Sequence, residues 1–140
     1  MLRFCALLAC LLISIGCGNP IEDRLVGTWI FDMEAAQTMP SFQALPPEQQ
    51  EETRRNFAST AIELNFTPDR RASLDVTATG QRIRTGAGAP YRAVAKAGQR
   101  FAIEVERPTG KPDSYDAEFE GETLYVWFGK RKRPFRRKEP

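Results

Sequence analysis

The stretch AIELNFTPDRRASLDVTA, residues 61–78, decides the architecture. Ile62, Leu64 and Phe66 alternate with Glu63 and Asn65, so the apolar side chains share one face of an extended segment. TPDRR then turns the chain, and ASLDVTA places Leu74 and Val76 on one face of a second segment. Two short runs of period two joined by a turn spell an antiparallel hairpin.

The same pattern extends toward the C-terminus. Phe101, Ile103 and Val105 alternate in RFAIEVER, Tyr115, Ala117 and Phe119 in SYDAEFE, and Leu124, Val126 and Phe128 in TLYVWFG. Gly98-Gln99, PTGKPD and Gly121-Glu122 supply the turns between them. QRIRTGAGAP predicts a weak strand around Ile83 followed by a glycine-rich hairpin loop, and YRAVAKA predicts another strand. A last strand uses Phe135. Toward the N-terminus, RLVGTWIFDMEA predicts a first strand from Leu25 that fades at Glu34. Its apolar residues occupy both phases near Ile30 and Phe31, as in a strand covered on both faces or bulged. Residues 37–47 carry Pro40, Pro46 and Pro47 and read as irregular. PEQQEETRRNFASTA reads as a single helix over 47–61, with Pro47 in its first turn and Glu48, Glu51 and Glu52 at its positive end. Its thin apolar face, Phe57, Ala58 and Ala61, suits a cover over an opening. The expectation is a mainly β domain: an antiparallel meander of eight or nine strands, with one helix after the first. Such a meander closes as a barrel at about eight strands, with a sandwich as the alternative.

The N-terminus is of another kind. Arg3 precedes an apolar run from Phe4 to Ile15 interrupted only by Ser14, and Gly16, Gly18 and Pro20 come after it. The run is short of the roughly 20 residues of a membrane-spanning helix and has the build of an export signal. All three cysteines, Cys5, Cys10 and Cys17, fall within the first 17 residues. Cleavage before Cys17 therefore leaves one thiol without a partner in the chain, where an exported domain would ordinarily hold cysteines in pairs. Ser14-Ile15-Gly16-Cys17 after this run resembles the bacterial lipoprotein signal, with Ser14 where a leucine-like residue is usual. The resemblance covers only this segment. It implies diacylglycerol on the Cys17 sulfur and an acylated (palmitate-type) amino terminus, anchoring that two or more chains make stable. On this reading residues 1–16 are the signal peptide, 17–23 a tether reaching at most about 20 Å, and 24–140 the domain. The location implied is the bacterial cell envelope, with the periplasmic face of the outer membrane favoured because no aspartate stands directly after Cys17.

Leu25-Val26-Gly27-Thr28-Trp29, ahead of a predicted meander, resembles the Gly-x-Trp opening of lipocalin-like proteins. That resemblance implies a lipocalin-like barrel, with Gly27 and Trp29 as its fold motif. Trp29 would lie across the barrel base, covered by a basic residue near the last strand, Arg133 or Arg136. The predicted helix comes after the first strand instead of the last, which places the resemblance with the looser lipocalin-like group.

Chemistry-bearing motifs are scarce. The chain has no histidine, which removes the commonest general base and zinc ligand. Gly86-x-Gly88 lacks the third glycine and following helix of a nucleotide fingerprint. Two carboxylate pairs, Glu63 with Asp75 on adjacent strands and Asp32 with Glu34, alternate with apolar residues as solvated strand positions do. No enzyme activity, cofactor or metal is expected. Without Arg3 the chain carries 19 basic residues; seven lie in KRKRPFRRK, 130–138, while residues 17–129 hold 12 basic against 17 acidic. This basic tail reads as an edge strand whose like charges block association, or as a contact for anionic lipid through Arg136, Arg137 and Lys138. An exported, anchored protein makes nucleic acid an unsuitable partner. Two functions are compatible with these features: a binding module for a small apolar ligand or lipid, or an assembly lipoprotein with a filled barrel that contacts an envelope protein through its outer surface. Phe66, Phe101, Phe119 and Phe128 all pointing inward would favour the second; a continuous apolar cavity would favour the first.

Overall fold

The computed structural model describes residues 18–140, apart from the side chains of residues 83–87. Residues 1–16, expected as a signal peptide, and Cys17 lie outside the described residues.

A short helix, α1 (Pro20–Leu25), leads into eight antiparallel strands that close into a barrel in sequence order. These are β1 (Gly27–Phe31), β2 (Thr60–Phe66), β3 (Arg71–Ala78), β4 (Gln81–Ala95), β5 (Arg100–Val105), β6 (Asp113–Glu120), β7 (Thr123–Phe128) and β8 (Arg131–Arg137). The 61–78 hairpin pairs in the register its alternation demands, with Leu64 opposite Leu74 and Ile62 opposite Val76. Closure comes from β8, which pairs with β7 on one side and with β1 on the other, Phe31 facing Phe135. The basic tail is thus the closing stave of the barrel. No edge exists there for like charges to protect.

Alternation carries the core. Trp29, Leu64, Phe101, Ile103, Leu124 and Phe135 are buried together, and Phe31, Leu74, Tyr115, Phe119 and Phe128 pack against them. At roughly 1.5–3 kcal/mol per fully buried large apolar side chain, this inner face is the main source of stability.

Several expected elements differ. TGAGAP is not a loop: β4 runs through it as one strand of 15 residues, so the count is eight. Gly88 adopts φ +66°, and the β3–β4 register shifts between Ala72 and Leu74, so glycine here bends a strand and does not end it. β1 stops at Phe31 because Asp32 caps a helix, its carboxylate accepting the Ala35 N–H at 3.0 Å. Between β1 and β2 lie three helices where one was expected: α2 (Met33–Thr38), α3 (Pro40–Gln43) and α4 (Pro47–Ala58). Pro40 and Pro47 begin helices; a proline has no N–H to lose in a first turn. Helix α1 occupies the end of the segment expected as a tether and the start of the expected first strand.

This helix lies across one barrel end. Leu25 is fully buried and Ile21 packs against the core. Asn19 caps the helix and donates to the Ala93 carbonyl at 2.7 Å, while Glu22 accepts the Ala93 N–H at 3.0 Å. Arg70, from the β2–β3 turn, pairs with Glu22 at 3.1 Å and Asp23 at 2.5 Å, and Arg24 donates to Gly121 O at 2.5 Å. These bonds reach several places around the rim, which is why the segment is helical and docked. At the other end Phe57 of α4 packs on Phe31, ring centroids 4.8 Å apart.

Candidate ligand-binding cavity

The barrel interior is divided. At the α1 end it is filled: Phe101 stacks on Phe119 at 5.3 Å, Phe119 meets Trp29 at 5.9 Å, and Arg24 caps the Phe119 ring at 4.0 Å. Between the ends a cavity of about 700 Å³ opens, walled by Leu64, Phe66, Leu74, Ile103, Val126 and Phe128. Of the four phenylalanines that were to decide between a filled and an open barrel, Phe101 and Phe119 fill and Phe66 and Phe128 line the cavity. All four pack with the core, and a cavity remains.

The cavity exists because β4 changes partners. Residues from Gln81 to Pro90 pair with β3, whereas pairing with β5 runs only from Tyr91 to Ala95. The last backbone bond across that seam is Glu106 N–H to Pro90 O, at 2.9 Å. Beyond it the two halves of the sheet part, and the space between them is the opening. Its rim is polar, with Arg71 on β3 and Glu106, Arg107 and Asp113 around the β5–β6 loop. Arg71 donates to Gly88 O at 2.5 Å and sits 3.8 Å from Asp69; Arg107 pairs with Asp113 across the base of the loop. The Arg107 hydrogen bond holds the Asp113 carboxyl below the usual carboxylate range. Tyr115 lines the cavity, and burial pushes its phenol up. Beside the cavity Tyr91 packs edge-on against Phe66 at 5.1 Å; burial pushes its phenol up, and the nearby Arg70 guanidinium opposes that shift.

Gly27 and Trp29 come together as the motif implies, but the covering cation is Arg137, not Arg133 or Arg136. Its guanidinium lies 4.4 Å from the Trp29 centroid and donates to Val26 O and Arg24 O, each at 2.6 Å. Trp29 is buried and donates from Nε1 to Leu25 O at 2.8 Å. Gly27, at φ +132°, makes room for this: a Cβ there would lie 2.6 Å from Arg137 Nη1. Lys138 binds Glu63 Oε1 at 3.0 Å, and Arg136 projects outward, exposed. The three cations expected as a lipid patch therefore do not form a unit, since β-alternation and ion pairing separate them.

The expected carboxylate pairs are occupied separately. Glu63 and Asp75 are cross-strand partners, yet Asp75 is 2% exposed. It accepts from Asn65 at 3.2 Å and Arg82 at 2.6 Å, so it is an outward-facing group roofed by its neighbours and not a solvated one. Asp32 caps α2 and Glu34 lies in that helix's first turn. Arg133, two residues before Phe135, faces inward beneath α4, near the rings of Phe31 and Phe57 at 5.9 and 5.7 Å. Among the described residues it has no carboxylate partner, and burial, with Arg131 adding, lowers its pKa. No group of three or more potential metal ligands occurs among the described residues.

Sequence reasoning missed the seam and its rim. The available signal was TGAGAP itself, where glycine permits a bend and Pro90 has no N–H to give to a neighbouring strand.

No protein-family model matches this chain, and no curated protein does. Two solved structures resemble it. As-p18, an extracellular fatty acid binding protein, is 11% identical, covering 83% of this chain and 97% of its own, with a TM-score of 0.39. A mutant of the fatty acid transporter REP1-NXSQ is 9% identical, covering 83% of this chain and 99% of its own, with a TM-score of 0.38.

Proposed function

We propose that this chain is a bacterial envelope lipoprotein, anchored through acylated Cys17, whose barrel binds a small apolar ligand or lipid. The observation that carries the binding role is the cavity: about 700 Å³ of apolar-walled space, within the range of small-molecule sites, inside a barrel whose other end is filled. Its lining favours holding a ligand over transforming it. The wall is hydrocarbon and aromatic, and of the two rim carboxylates Asp113 is held by Arg107 while Glu106 lies exposed.

The anchor reading rests on the sequence around Cys17 and accords with the position of Asn19. That residue, two positions on and therefore at most about 7 Å away, is already bonded to Ala93. An acyl group at Cys17 would hold the α1 end of the barrel close to the bilayer. The periplasmic face of the outer membrane is the proposed site.

Native mass spectrometry of the protein purified from its own cells tests the binding role. A retained lipid-sized adduct is expected; an empty domain that co-purifies with an envelope protein would support the assembly role instead. Labelled palmitate tests the anchor, and incorporation that persists in Cys17→Ser would overturn it.

A further inference from the structure

We infer that the cavity is loaded from the side, through the seam between β4 and β5, by an amphiphile whose polar end stays at the rim between Arg71 and Glu106. The inference rests on the cavity's being a binding site, and it adds the route, the kind of occupant and its orientation.

Three observations carry it. First, the helices packed at the barrel ends do not touch the cavity: none of its lining residues belongs to α1, α2, α3 or α4. Helix α1 is bonded to Ala93, Arg70 and Gly121, and α4 is packed through Phe57 on Phe31, on the β1 side of the barrel. The helices are therefore not the door. Second, the seam is weakly sealed. Past the Glu106–Pro90 hydrogen bond the segment 106–112 carries Pro108, Gly110 at φ +88° and Pro112, and its base is tied by the single Arg107–Asp113 ion pair. Swinging that loop away from β4 disrupts one backbone bond across the seam and the exposed ion pair that ties the loop to β6, whereas lifting α1 disrupts a network of hydrogen bonds and unburies Leu25.

Third, polarity is sorted across the cavity. The deep wall is Leu64, Ile103, Val126 and Phe128, and the charged lining residues are all at the seam. Arg71 stands on the β3 side with its carboxylate neighbour Asp69 at 3.8 Å, and exposed Glu106 stands on the β5 side. An apolar chain passing inward leaves water for hydrocarbon walls, while a polar head drawn in after it would lose hydration without compensation. The head stays where the charges are.

The test uses the mature chain from residue 17 carrying Cys17→Ser, with a fluorescent polyene fatty acid as the probe, in stopped flow at low salt. Asp113→Asn, read with an uncharged long-chain fluorescent alcohol in place of the fatty acid, should raise association and dissociation rates together by fivefold or more, leaving Kd within about twofold. Phe57→Ala, which loosens the helical cover, should leave both rates within twofold. Because the probe's head is anionic, Arg71→Glu should weaken binding at least threefold and Glu106→Lys should tighten it. Acceleration by Phe57→Ala without acceleration by Asp113→Asn, or affinity indifferent to both rim charges, would overturn side loading while leaving the cavity a binding site. Probe that fails to bind the unaltered rim at all would overturn both. Hydrogen exchange reads the route independently of these variants. Bound probe should protect amides at Gly88, Ala89, Glu106 and Arg107, and protection confined to 54–58 would place the occupant under the helices.

Discussion

Arg137 and Trp29 form one unit although 108 positions separate them: the guanidinium covers the indole at 4.4 Å while its two Nη atoms hold the carbonyls of Val26 and Arg24. The same indole donates to Leu25 O. Three successive carbonyls leaving α1 are thus bound by the first and last strands, and a helix end that would otherwise leave its acceptors orphaned is satisfied. The unit joins helix to barrel and β1 to β8 at once.

Arg137→Lys should therefore destabilise the domain despite keeping the charge. A lysine cannot hold two carbonyls in fork geometry while covering a ring. Loss of a charged hydrogen bond and part of a cation–π contact is worth about 2 kcal/mol. Urea unfolding should show a lower midpoint with an unchanged slope, and Arg137→Met should cost at least as much.

Gly27→Ala should cost about 1–3 kcal/mol, because φ +132° is a backbone state that only glycine adopts freely. Part of the cost is the encounter with Arg137 Nη1 at 2.6 Å. In an Arg137→Met background Gly27→Ala should be milder, and the coupling measured by the double-mutant cycle isolates that encounter from the backbone strain.

Arg133→Met should stabilise the protein. The guanidinium is partly removed from water beneath α4, it has no carboxylate partner among the described residues, and two ring contacts near 6 Å return little. A methionine fills the same space without a charge to desolvate. A gain of about 1 kcal/mol, or a Tm rise of about 4 °C, is expected by calorimetry; a loss would mean that the cation–π contacts outweigh desolvation.

The strands were legible where one face is apolar: Leu64 opposite Leu74 and Phe31 opposite Phe135 are consequences of period-two spacing. Trp29 was legible as a base residue, but its partner was not, because alternation in KRKRPFRRK puts Arg133 and Arg137 on the face that carries Phe135, with Arg137 still exposed at the barrel end. That choice depends on rings from β1 and α4, elements distant in sequence. Pro40 was read as a breaker, yet it opens a helix as Pro47 was expected to, since the same missing N–H ends one element and suits the start of another. The cavity could not be read from any one segment. Its walls come from six strands, and its opening depends on where β4 exchanges β3 for β5.

Acid should loosen the β5–β6 loop at the cavity mouth before it unfolds the barrel. The Arg107 hydrogen bond, with its charge adding, lowers the pKa of Asp113 in the folded protein below 3.8. A depressed carboxyl contributes its tie fully above the unfolded value and loses it as pH falls through the folded one. The Arg107–Asp113 tie is therefore intact at neutral pH and lost only as pH falls through the depressed folded value, and raising pH above neutrality should change nothing at this pair. Dissociation of a bound uncharged probe, such as a long-chain fluorescent alcohol, should accelerate once pH is lowered below the ordinary carboxylate range, and Asp113→Asn should show the fast rate throughout with no acid step. Glu118, also lowered, chiefly by its hydrogen bond from Lys132, loses its contribution in the same acid range. Stability must be followed in parallel: acceleration while tryptophan fluorescence still reports a folded barrel is the expected result. Acceleration only with loss of that signal, or an acid step that survives in Asp113→Asn, would assign the effect to unfolding and not to the seam.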